Sequence, residues 1–270
     1  GYADPGSAAL TMTPPPAHVV MARVVLAVLL RETRTRFGRY QFGYLWAFLE
    51  PLTHVAVFIA VFTALGRTSP IGDSLALFLI TGVVPWLVFT HTVNRVAKAV
   101  DGNRALLMFP QVTRIDLMLA RIILEAATAS VVFVVLCLLV RLFETRFTIE
   151  RPLDVIAVFA CLIVLGAGTG IATGVISSVF PTFERLFAAI RRPLYFASGV
   201  FFIADNVPPE ARAWISYNPL AHLIEWLRSA FFVGFESSFV DHRYAVACSL
   251  VAVVFGLAAE RAIRPAEKFA

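Results

Sequence analysis

Residues 153–179 read LDVIAVFACLIVLGAGTGIATGVISSV, with Asp154 as their single charge. Crossing the hydrocarbon core of a bilayer takes about 20 apolar residues in a helix, so this run is long enough to span and decides the fold class. Within it Gly166, Gly170 and Gly174 recur at every fourth position, with Gly168 between them. That is the small-residue stripe that lets helices approach closely in lipid. The stretch GAGTG lacks the GxGxxG spacing of a dinucleotide-binding loop.

Outward from this run, five further apolar segments recur along the chain: 46–66, with Pro51 in its first turns; 75–97, where Gly82 and Pro85 predict a kink; 117–140; 187–203; and 244–263. Of the 270 residues, 59% are hydrophobic and 15% charged. A soluble domain runs at about 45–50% and about 25%, so a soluble enzyme is excluded. The expected fold is an all-α integral membrane protein with six transmembrane helices, in one domain over 19–270. Residues 1–18 are polar, with Pro14-Pro15-Pro16 blocking a helix, and are expected to form a disordered tail.

Three apolar pieces are too short to cross. Val19–Leu30 contains Arg23 and is followed by a run of arginines, which predicts an amphipathic helix lying in the membrane interface. The segment 101–113 carries the patch Leu106, Leu107, Met108 and Phe109, stopped by Pro110. Such a patch marks either a partner contact or a helix packed on its own spans. In 208–241, apolar residues at helical spacing are broken by Asn218-Pro219. This predicts two short helices, either resting on the outer leaflet or re-entering the membrane against protein.

Orientation follows from the basic residues. With the N-terminus cytoplasmic, 15 of the 23 Lys and Arg fall on the inner side and seven on the outer, so both termini are expected in the cytoplasm. The net charge of +5 is then an inner-side excess that needs no nucleic-acid partner. Lysine occurs only at Lys98 and Lys268, neither after a glycine, so the chain has no P-loop. Cys137, Cys161 and Cys248 are widely spaced in apolar runs, and the five histidines are scattered. Neither a metal site nor a catalytic constellation is expected. Arg121 and Glu125, one turn apart in the third span, either neutralise each other or form a polar surface on a conduit.

The densest cluster of chemistry is RETRTRFGRYQFGYLWAFLEPLTH, residues 31–54. Arginines before a span act as a topology signal. That does not account for the helix breaks at Gly38 and Gly43, the aromatic cluster Tyr40, Phe42, Tyr44 and Trp46, or Glu50 and His54 at i, i+4 near the start of a span. An acid within a membrane faces water, protein or a partner charge.

This block, R-E-T-R-T-R-F-G-x-x-x-x-G-Y-L-W-A-x-x-E-P-L, resembles the first-span signature of inner-membrane permeases of ABC polysaccharide exporters, in their capsular branch. Related O-antigen and teichoic-acid permeases usually carry Gln where this chain has Glu50. The N-x-x-L-L-x-F-P of Asn103, Leu106, Leu107, Phe109 and Pro110 is similar to the family's coupling helix, which docks on an ATPase subunit. The resemblance covers most of the chain after residue 25. It implies a homodimer that binds two copies of a separate cytoplasmic ATPase, which holds the ATP and Mg, while this chain has no cofactor of its own. It also implies a lipid-linked capsular polysaccharide as cargo and a periplasmic adaptor, a polysaccharide co-polymerase, leading to an outer-membrane exporter. Arg34, Arg36 and Arg39 would attract its acidic groups. Tyr40, Tyr44 and Trp46 would offer faces to sugar rings, beside Glu50 and His54. The rivals are an ion-coupled secondary transporter, against which the chain shows no internal repeat, and a membrane scaffold without transport.

Overall fold

The computed structural model describes residues 16–37, 43–143 and 148–263. Its helices are α1 (Ala17–Phe37), α2 (Gly43–Ala64), α3 (Leu75–Ala97), α4 (Arg114–Phe143), α5 (Pro152–Val179), α6 (Thr182–Ala197), α7 (Pro209–Ile215), α8 (Pro219–Phe231) and α9 (His242–Ile263). Short 3₁₀ segments occupy Asp101–Met108 and Ala204–Asn206. There is no strand among the described residues, and the chain is an all-α membrane protein.

Local chemistry sets the helix starts. Ser74 caps α3 by accepting a hydrogen bond from the Leu77 amide at 3.0 Å, and Asn218 caps α8 through the Leu220 amide at 3.0 Å, with Pro219 as first helical residue. At α4 the capping is reciprocal: Asp116 Oδ2 accepts from the Thr113 amide at 2.8 Å, and the Asp116 amide donates to Thr113 Oγ1 at 3.3 Å. The buried Asp116 is thereby satisfied. Asp241 accepts from the Tyr244 amide at 3.0 Å and opens α9.

Among the described residues, five helices are long and apolar enough to cross a membrane: α2 over Ala47–Ala64, α3, α4, α5 and α9. The segment expected at 187–203 differs. Its helix starts earlier, at Thr182, and ends at Ala197. Sixteen residues of helix reach about 24 Å against a hydrocarbon core of about 30 Å, and Arg185, Arg191 and Arg192 keep the segment polar. Beyond Ala197 the chain leaves the helix before the Ala204 turn. The five long helices overlap the segments 46–66, 75–97, 117–140, 153–179 and 244–263, and α4 extends further at both ends. The helix expected at the interface, α1, starts at Ala17, inside the tail expected over 1–18, whose first 15 residues lie outside the described set.

The centre of the bundle is α3, buried along most of its length, with α5 packed on it and on α9. The glycine stripe makes this possible. A Cβ on Gly166 would meet Thr92 Cβ at 2.8 Å, on Gly170 the Val93 carbonyl oxygen at 2.9 Å, and on Gly174 the Ala97 carbonyl oxygen at 2.7 Å, all on α3. Gly168 faces the other way, where a Cβ would lie 2.3 Å from the Ala252 carbonyl carbon of α9. Gly82, expected at a kink, lets the Val200 carbonyl approach α3: a Cβ there would lie 2.5 Å from its oxygen.

Residues 208–241 form the expected helix pair, but α8 does not rest on a surface. Every residue from Leu220 to Phe231 is buried. Glu225 and Arg228 are both 0% exposed. Arg228 Nη1 donates to the carbonyls of Gly199 at 2.7 Å and Phe202 at 2.8 Å, and Nη2 to that of Val200 at 2.8 Å. Its guanidinium lies 4.1 Å from the Phe78 ring centroid. Non-helical backbone at membrane depth has no water to bond; here one arginine supplies the donors.

Candidate functional site

Two polar regions lie within the bundle at the end that carries α1 and the 101–108 segment. The first ties three elements together. Glu32 of α1 accepts from Asn103 Nδ2 at 2.7 Å and pairs with Arg121 of α4 at 2.8 Å. Arg31 donates to Asn103 Oδ1 at 3.0 Å, and Asn103 Nδ2 also donates to the Ala99 carbonyl at 3.0 Å. Asn103 leaves helical geometry, at φ −132° and ψ 21°, so the 3₁₀ segment bends at the residue that α1 holds. Around these bonds Val24, Val25 and Val28 pack on Leu106, Leu107, Val112, Leu117 and Ala120.

This arrangement corrects two expectations. Arg121 does not neutralise Glu125: Arg121 bonds Glu32, and Glu125 takes Arg95 of α3 at 3.1 Å. Partners one turn apart were available, but the buried carboxylates bond across helices, where they also fix packing. The apolar patch is also divided. Leu106 and Leu107 turn inward onto α1, while Met108 is 86% and Phe109 60% exposed, next to exposed Pro110. Within the segment 101–113, expected to couple to an ATPase, 3₁₀ helix covers Asp101–Met108.

The second region is a cleft of about 400 Å³ between α2, α3 and α6. His54 of α2 and Tyr195 of α6 share a hydrogen bond of 2.8 Å, between Nε2 and the hydroxyl. Arg191 Nη1 donates to Asn94 Oδ1 of α3 at 2.7 Å. Trp86 packs against Tyr195 at a centroid distance of 5.1 Å. Just outside, Glu50 Oε1 and His91 Nε2 approach to 3.1 Å. Glu50 and His54, expected on a water- or protein-facing surface, each take a partner from another helix.

Of the other sequence-predicted residues, Arg34 is exposed on α1. Arg36, Tyr44 and Trp46 have described backbone only, on α1 and α2, while Arg39 and Tyr40 lie outside the described residues. Sequence reasoning missed Glu32, Arg191 and Tyr195. Glu32 is the acid inside a run of arginines, and Arg191 and Tyr195 stand at i, i+4 in an apolar segment; both signals were available. Among the described residues no group of His, Cys, Asp and Glu converges as a metal site.

At the opposite end Arg212 donates to Asp205 Oδ1 at 2.6 Å, and Ser238 donates to the same carboxylate through its hydroxyl at 2.7 Å and its amide at 3.1 Å. Burial alone would raise the Asp205 carboxyl, but the bonds from Ser238 and Ser237 and the Arg212 charge outweigh it and hold it below the usual carboxylate range.

Long apolar helices braced by ion pairs between helices, around a polar cleft within their depth, define a polytopic membrane protein of the transport class. Residues 23–232 match the ABC-2 type transporter family, and the chain belongs to it. It is 34% identical over 238 residues to the polysialic acid transport protein KpsM of Escherichia coli, covering 88% of this chain and 92% of that protein. The capsule polysaccharide export inner-membrane protein CtrC of Neisseria meningitidis serogroup B is 30% identical over 245 residues, 88% of this chain and 90% of CtrC. BexB of Haemophilus influenzae, with the same description, is 26% identical over 243 residues, 88% of this chain and 90% of BexB.

Proposed function

We propose that this chain is the permease subunit of an ATP-driven exporter that moves lipid-linked capsular polysaccharide across the bacterial inner membrane. The observation that carries the reading is the match to capsule-export proteins across 88% of the chain. Two copies form the conduit, since one protomer is small for a polymer path, and two copies of a separate ATPase bind ATP and Mg on the cytoplasmic side. The uneven distribution of Lys and Arg supports a cytoplasmic position for both termini, α1 and the 101–108 segment. The fifth crossing is α6 together with the non-helical stretch that Arg228 braces. A periplasmic adaptor leads the product onward.

In this arrangement Met108, Phe109 and Pro110 contact the ATPase, and Asn103 passes its movement to α1 and α4 through Glu32 and Arg121. Arg34, Arg36 and Arg39 draw acidic chains to the membrane face, with Tyr40, Tyr44, Trp46, Glu50 and His54 along the path. Reconstitution in liposomes with and without the ATPase, using labelled lipid-linked polysaccharide, tests the assignment. Export needs both proteins and ATP; export by this chain alone, or none with both, overturns it.

A further inference from the structure

Four arginines of the bundle each face a carboxylate: Arg95 has Glu125, Arg121 has Glu32, Arg212 has Asp205 and Arg228 has Glu225. Arg191 and Arg192 are different. Among the described residues neither has an acidic partner within ion-pair distance. Glu184, on their own helix, is engaged by Lys98 at 3.0 Å, and Glu50, on the facing helix, by His91 at 3.1 Å. Arg191 is nevertheless held in place, by Asn94 at 2.7 Å and by the Phe187 ring at 5.3 Å from its guanidinium carbon. Its Nε is buried without a hydrogen-bond partner. Arg191 is thus fixed, and Arg192 stands exposed beside it on the same cleft; two guanidinium groups without a carboxylate partner there suit an anionic ligand.

The walls of the cleft indicate what kind. Trp86, Tyr195 and Phe196 line it beside the two guanidinium groups, with Thr90 and Asn94 as polar neighbours. Arginine presents paired N–H donors that match phosphate bidentately, and aromatic faces accept the apolar side of a sugar ring. At a rise of about 1.5 Å per residue, Asn94 lies about one turn and Trp86 about three turns inside the α3 terminus at Ala97, so the cleft runs inward from headgroup depth. Its outer rim is exposed, with Ile190 and Phe196 facing out of the bundle. A lipid can therefore bring its head in sideways while its tails stay in the bilayer.

We infer that the α2–α3–α6 cleft binds the phosphate and first sugar of the lipid-linked chain, with Arg191 and Arg192 holding the phosphate and Trp86 and Tyr195 the ring. This rests on the export function proposed above and names the part of the cargo that the permease grips. Binding of a short fluorescent phosphoglycolipid to the full chain in nanodiscs tests it, in wild type, in Arg191→Gln with Arg192→Gln, and in Arg192→Gln alone. The single change affects an exposed side chain with no hydrogen-bond or ion-pair partner among the described residues, and so reports even where the double variant fails to fold.

Affinity should fall about tenfold in the single variant and further in the double, while a phosphate-free glycolipid binds all three proteins equally. Phosphatidylglycerol should compete poorly. Unchanged affinity in both variants overturns the site, as does full competition by phosphatidylglycerol, which would make it a general phospholipid groove, or a change confined to dimerisation, which would make it a subunit contact. Export by wild type with its ATPase, measured in parallel, separates the two levels: intact export with variant-insensitive binding sinks the cleft alone, whereas absent export sinks the function.

Discussion

At the scale of single residues, charge is used here as mortar between helices. Glu32 serves Asn103 and Arg121 at once, so Glu32→Ala strands a buried amide and a largely buried guanidinium. The loss should be about 2–3 kcal/mol of stability, read as a lower melting temperature in detergent, with Glu32→Gln intermediate because it keeps an acceptor for Asn103. In the exporter the same variants should hydrolyse ATP with reduced transport per ATP. Asp205 makes a second prediction, in pH. Its carboxyl titrates lower in the folded protein than its ordinary value of 3.8, so its contribution is fully present above that value and is lost as pH falls through the folded value. Melting temperature should drop along that acid limb in wild type, and Asp205→Asn should flatten the drop. An unchanged pH profile in Asp205→Asn would show that the cluster does not stabilise the fold.

At the scale of elements, the 101–108 segment presents one face to its own molecule and one outward. Phe109→Asp and Met108→Asp should abolish co-purification of the ATPase without lowering the melting temperature, because both side chains are exposed. Leu107→Asp should cost about 2 kcal/mol of stability, because Leu107 packs on α1. Normal ATPase binding by Phe109→Asp would remove this surface from the interface. In α5, Gly168→Val places atoms against the α9 backbone, which cannot step aside as a side chain can, and should destabilise by about 1–3 kcal/mol. The equally apolar Val164→Leu, at a roomier position beside an open groove, should be nearly neutral. The apolar runs and the glycine stripe made most of these helices legible in the sequence, because length and small-residue spacing are local properties. The ion pairs were not: proximity along one helix suggests Arg121 with Glu125, and only the three-dimensional packing brings Glu32 and Arg95 to them. Likewise the Asn218-Pro219 break left a surface pair and a re-entrant pair both open, and nothing local in the sequence marks Glu225 and Arg228 as buried, although every residue from Leu220 to Phe231 is.

At the scale of the whole molecule, the polar devices sort to the two ends of the bundle, and the proposed topology assigns an aqueous compartment to each. In a background with Cys137, Cys161 and Cys248 replaced by alanine, Arg104→Cys should react with an impermeant thiol reagent only from the cytoplasmic side, and Glu236→Cys only from the opposite side; the reverse pattern would invert the topology. α2 and α9 bury little within the chain, leaving apolar faces that point outward. The arginine of α8 has a consequence for biogenesis. The carbonyls of Gly199, Val200 and Phe202 leave the ribosome well before Arg228, their donor. During synthesis this turn must therefore wait, wet or held by the insertion machinery, until α8 arrives. A nascent chain cut short before residue 228 would leave these three carbonyls without the donor that the full chain gives them.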